Sequence, residues 1–90
     1  MKIAIAPLKN PAIGWDITVS VTGENKERIA QVTTVINDFP EQEDILNPQA
    51  NSYERTYIQK GVFPGHNKVV VTALDSNGEP WVGVKKWDSA

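Results

Sequence analysis

Trp81, Lys85 and Trp87 stand at alternate positions of the last apolar segment, "PWVGVKKW". In an extended strand every second side chain shares a face, so these three fall together with Gly83 between them. The two indoles would lie about 20 Å apart at the usual rise per residue. An outward indole stacks on a sugar ring or on a partner's apolar surface, and tryptophan is enriched where binding energy concentrates. Gly83 would leave a shallow, flat strip between the rings. Trp81, Lys85 and Trp87 are therefore the candidate binding residues. The competing assignment is packing: one indole turns inward or covers an end of the fold, as Trp15 is expected to do.

No other constellation carries chemistry. His66 is the single histidine and follows a Pro-Gly corner. A nucleophilic triad needs a histidine held between two partners, and no spacing here supplies them. Glu41, Glu43 and Asp44 could do acid–base work in an apolar cleft. They sit instead in an irregular stretch with no pocket-forming run beside them. No catalytic residue is assigned, and no cofactor. "DSNGE", Asp75 to Glu79, echoes the start of a calcium loop. A working EF-hand loop needs glycine sixth and a bidentate glutamate twelfth. Counted from Asp75, the glycine is fourth and the twelfth residue is Lys86. Turn chemistry explains the same residues: Asp75 caps the backbone two residues on, and Gly78 takes the left-handed conformation. A three-to-five-residue hairpin loop and a two-residue Asn77-Gly78 turn both fit. No metal site is assigned.

The elements that must position these residues are strands. Ninety residues make one domain, spanning 1–90. "WDITVSVT" places Ile17, Val19 and Val21 on one face and Asp16, Thr18, Ser20 and Thr22 on the other. "RIAQVTTVINDF" puts Val32, Thr34 and Ile36 in phase, with Ile29 out of phase, so a bulge near Ala30 is expected to bring Ile29 inward. A helix competes there, and the Thr/Val run and Pro40 oppose it. "KIAIA" is a short first strand that Pro7 ends. "PEQEDILNPQAN" reads as loop with one short strand at Asp44 to Leu46. Later strands fall in "SYERTYIQKGVF", "NKVVVTAL" and "PWVGVKKW". The expected core is Ile17, Val19, Val21, Val32, Ile36, Ile58, Val62, Val69, Val71, Ala73, Val82 and Val84. Short alternating strands and turn signals about every ten residues define an all-β sandwich.

Composition narrows the partners. A net charge of −2 and a pI near 5.2 oppose a nucleic-acid partner, which needs a concentrated basic face. The chain has no cysteine, so disulfides, thiolate metal sites and cysteine nucleophiles are excluded. No apolar run reaches membrane-spanning length, so no membrane insertion is expected, and "MKIAIAPLKNP" lacks the long apolar segment of a secretory signal.

Two segments together resemble a family. "WDITVSVTGENKERIAQVTTVIND" and "IQKGVFPGHNKVVVTALDSNGEP" are similar to bacterial immunoglobulin-like modules, close in layout to fibronectin type III. The opening "IAIAPLKNPAIG" resembles their first strand. The resemblance implies an immunoglobulin-like, two-sheet antiparallel β-sandwich of about seven strands. It also implies a module of a larger exported or cell-surface protein, with neighbouring domains or polysaccharide as partners. The matching residues Gly65, Asn67, Val69, Val71, Ala73, Asp75 and Gly78 are corner, core and turn positions. The expected function is a non-catalytic spacer or docking module. The alternatives are a carbohydrate-binding module using the tryptophan face and, more remotely, a small self-associating cytosolic protein.

Overall fold

The computed structural model describes residues 1–10, 14–60 and 65–88. These form seven strands: β1 (Lys2–Asn10), β2 (Gly14–Thr22), β3 (Ile29–Ile36), β4 (Gln42–Ala50), β5 (Ser52–Lys60), β6 (His66–Asp75) and β7 (Pro80–Asp88). Two antiparallel sheets result, one ordered β1-β2-β5 and the other β4-β3-β6-β7. The all-β sandwich is thus present. No helix among the described residues is long and apolar enough to cross a membrane.

The central strands follow the period-two logic of half-buried β-structure. Ile17, Val19 and Val21 of β2, Val32 and Ile36 of β3, and Val69, Val71 and Ala73 of β6 are buried between the sheets. Ile29 joins them because the register of β3 shifts between Ile29 and Gln31 against both neighbours. That shift is the bulge expected at Ala30. It returns an out-of-phase isoleucine to the core.

Four expectations need correction. Ile58 is 59% exposed, and Tyr57 takes the inward position of β5. Val82 and Val84 are 63% and 53% exposed, on the outer face of β7. The supposed loop from Pro40 to Asn51 holds a nine-residue strand, β4, with a cis Asn47–Pro48 bond. The first strand continues past Pro7, which pairs with Ile17. Proline is tolerated there because β1 is an edge strand and has a neighbour on one side only. Val62 lies outside the described residues.

Glycine sets the approach of the sheet edges. A Cβ on Gly83 would stand 2.7 Å from Ile3 Cγ2, so the bare backbone of β7 lets β1 pass close over it. At the opposite edge, β4 and β5 are tied by polar side chains. The Tyr53 hydroxyl and the Arg55 guanidinium of β5 both reach Asp44 of β4.

Candidate functional site

Trp81, Lys85 and Trp87 do share a face of β7, and it is the inner one. Their cross-strand partners on β6 are Ala73, Val69 and Asn67, all buried. Trp87 packs against the core, and its ring meets that of Trp15 at 5.5 Å with the planes tilted by 57°. Its indole Nε1 is buried and has no hydrogen-bond partner among the described residues. Trp81 stands at the rim, 36% exposed, with Nε1 donating to Asp75 Oδ2 at 3.5 Å. Lys85 is exposed. The core therefore claims Trp87, and the two indoles do not form one outward strip.

Asp75 organises the turn below Trp81. Its carboxylate accepts the backbone N–H groups of Asn77 at 2.8 Å and Glu79 at 3.0 Å. Gly78 has φ of 78°, and its N–H donates to the Asp75 carbonyl at 3.0 Å. This is the longer hairpin loop, Ser76 to Glu79, with the expected Asx cap. These donors, the Glu79 N–H first, hold the Asp75 pKa below its ordinary value. Among the described residues no group of histidine, cysteine or carboxylate side chains is arranged to hold a metal.

At the other end of β6 and β7 lies an open cleft of about 550 Å³. Trp87, Asn67 and Asn37 line it, together with His66, Asp38 and Asp88 and the lysines Lys68 and Lys86. His66 Nδ1 is 2.7 Å from Asp88 Oδ1, and both side chains are largely exposed. The cleft wall is fixed from the residue that follows β3: Asn37, at φ of 49°, accepts the Lys68 N–H at 2.8 Å and donates to Asn67 Oδ1 at 2.9 Å.

The outer faces of the two sheets differ in chemistry. On the three-stranded sheet, registered rows read Ala4–Ser20–Glu54 and Ala6–Thr18–Thr56, and Thr18 and Thr56 share a hydrogen bond of 2.9 Å. Leu8 and Ile58 flank Asp16 at one end only. On the four-stranded sheet the rows read Val35–Val70–Val84, Glu43–Thr33–Thr72–Val82 and Ile45–Gln31–Leu74–Pro80. Ile45 on the β4 edge is 71% exposed, and Val82 and Val84 on the β7 edge are exposed as well. Lys68 and Lys86 pair directly across β6 and β7, next to the end row of His66 and Asp88. Sequence reasoning missed this face because it assigned Val82 and Val84 to the core. The signal available was the run Val69-Val70-Val71, apolar on both sides of one strand.

No protein-family model, no curated protein and no solved structure matches the chain.

Proposed function

We propose that the chain is a non-catalytic, immunoglobulin-like interaction module that docks a partner through the outer face of its four-stranded sheet. The observation that carries this reading is the apolar row Val35, Val70 and Val84, with Val82 beside it on β7, on a face open to solvent. An antiparallel sheet facing water ordinarily alternates apolar-in and polar-out. A contiguous apolar patch rimmed by polar residues marks an interaction surface. The immunoglobulin-like assignment is supported by the strand partition. An immunoglobulin constant-type domain places its first, second, fifth and fourth strands in one sheet. Here the fourth strand has moved beside the third, leaving sheets of three and four. A photo-crosslinking side chain at position 84, in cells making the protein, should give a defined adduct that Val70→Glu removes. The same side chain at Glu54, on the other sheet, should give none. Equal labelling at both positions would overturn the docking reading.

A second reading rests on the cleft. Trp87 forms one wall beside hydrogen-bonding side chains, which is the composition of a sugar subsite. Titration with soluble polysaccharides, followed by tryptophan fluorescence, tests it. Saturable quenching lost in Lys86→Ala, with the melting temperature unchanged, supports the reading, and a flat titration removes it.

A further inference from the structure

Asn77 alone among the asparagines of the chain is followed by glycine. The pair stands in the loop between β6 and β7, and both residues are exposed. A Cβ built on Gly78 would meet no atom within 4 Å, so the space around this residue is open. The Asn77 side chain makes no hydrogen bond to another described residue, and only its backbone N–H is held. The amides of Asn37 and Asn51 are committed, to Asn67 Oδ1 and to the carbonyls of Gly23 and Glu27.

We infer that Asn77 is a site of self-modification, at which the Gly78 nitrogen displaces the side-chain amide and the turn joining β6 to β7 is rebuilt. The deprotonated Gly78 nitrogen forms a bond to Asn77 Cγ. The Cγ–Nδ2 bond breaks, and the leaving nitrogen takes a proton from water and departs as ammonia. Water then opens the five-membered succinimide at either carbonyl. One opening leaves aspartate, and the other leaves isoaspartate, in which the main chain runs through Cβ. The net change consumes one water and releases one ammonia. A side chain after the asparagine would crowd the attacking nitrogen, and glycine has none.

The turn sets the rate. The Gly78 N–H donates to the Asp75 carbonyl at 3.0 Å, and Asp75 Oδ1 holds the Asn77 and Glu79 N–H groups on either side of the reacting bond. The nitrogen must leave its hydrogen bond and lose its proton before it attacks. The closed turn therefore retards the step, and local opening releases it. Isoaspartate places one more main-chain carbon between the two N–H groups, so a single carboxylate oxygen no longer spans both. The Asp75 cap is lost, and with it the end of the hairpin, where the Asp75 N–H meets the Glu79 carbonyl. Either product also adds a negative charge between Asp75 and Glu79.

Incubation of the full chain at mildly alkaline pH, followed by peptide mass spectrometry, tests this. Asn77 should gain one mass unit at least tenfold faster than any other asparagine, as a mixture of aspartate and isoaspartate, and the rate should rise with pH. Asn77→Gln should stop the change, because its longer side chain would have to close a six-membered ring. Asp75→Ala should speed it several-fold, and Asp75→Asn, which keeps an oxygen acceptor, should speed it less. The folded wild type should convert more slowly than the same chain in denaturant, a comparison that needs no variant. Aged wild type should melt below fresh protein, and aged Asn77→Gln should not. Conversion at Asn77 no faster than at Asn25 or Asn51 overturns the inference, and so does an equal rate in the folded and unfolded chain. Aged protein that carries isoaspartate at position 77 and melts like fresh protein overturns it as well.

Discussion

The Tyr53 hydroxyl donates to Asp44 Oδ2 at 2.5 Å, and that bond joins β5 of one sheet to β4 of the other. Arg55 adds contacts of 2.8 and 2.9 Å to the same carboxylate and lies over the Tyr57 ring. The Tyr53 hydroxyl first, and Arg55 after it, hold the Asp44 pKa below its ordinary value, against the opposing effect of burial. A carboxylate whose folded pKa is depressed stabilises fully above the unfolded value, about pH 4, and that contribution fades as pH falls through the lower folded value. Asp44→Asn should therefore lower the melting temperature at neutral pH and flatten its decline below about pH 4. Tyr53→Phe should cost about 1 kcal/mol, and Arg55→Gln less, because that pair is solvent-screened. Calorimetry from neutral to strongly acid pH checks this, and parallel curves for wild type and Asp44→Asn would refute it.

Gly83 and Ile3 set the closure of the opposite edge. Gly83→Val puts branched carbon where Ile3 Cγ2 already lies, and should destabilise by about 1–3 kcal/mol through overpacking. Shortening Ile3 to Ala should itself cost stability, yet recover part of the loss when combined with Gly83→Val. Denaturant titration of the four proteins measures the coupling. Additive costs would show that the two residues do not meet.

What the sequence made legible was alternation, and what it hid was sign. Period two places Ile17, Val19 and Val21 together and Val69, Val71 and Ala73 together, and their polar neighbours on β2 decide which side is inside. In β7 both sides are apolar, Trp81 and Trp87 against Val82 and Val84, so the pattern gives a phase without a direction. The deciding fact was Gly83, whose missing side chain admits β1 on the tryptophan side. β5 misled in the same way: Ile58 looks more apolar than Tyr57, but the Tyr57 hydroxyl donates to Thr34 and lies within hydrogen-bond distance of the Tyr53 hydroxyl. β4 was invisible because it is an edge strand with most of its side chains exposed, so little hydrophobic period is imposed on it. The Ile29 bulge and the Asp75 cap were legible because each follows from local geometry. Of the candidate binding residues, the shared face was readable, but the loss of Trp87 to the core required knowing that Trp15 stands across from it.

Asp75 uses its oxygens on the turn. Asp75→Ala strips the Asn77 and Glu79 N–H groups and the Trp81 indole of their acceptor and should lower the melting temperature clearly. Asp75→Asn keeps an oxygen acceptor and should cost less. The depressed pKa of Asp75 gives the same sign as Asp44: its contribution is present above about pH 4 and lost below. Calcium should leave the melting temperature where magnesium leaves it, as a ligand that does not bind cannot shift unfolding. A calcium-specific rise would contradict the turn assignment.

The two tryptophans of β7 should separate cleanly by substitution. Trp87 contacts the core and the Trp15 ring, so Trp87→Ala should cost about 3 kcal/mol, the lower part of the range for buried aromatics. Trp81 stands at the rim with one long hydrogen bond, so Trp81→Ala should cost far less. Trp87→Ala would abolish sugar binding through unfolding whether or not the indole touches sugar, which makes it a poor probe of a glycan site. Trp87→Phe keeps an apolar ring in the core and removes the unpartnered Nε1 donor, whose burial without a hydrogen bond is unfavourable. It should therefore retain most of the stability that Trp87→Ala loses. Chemical denaturation of the three variants, read by the fluorescence of the remaining indoles, ranks them. Equal losses at positions 81 and 87 would mean that the core does not hold Trp87.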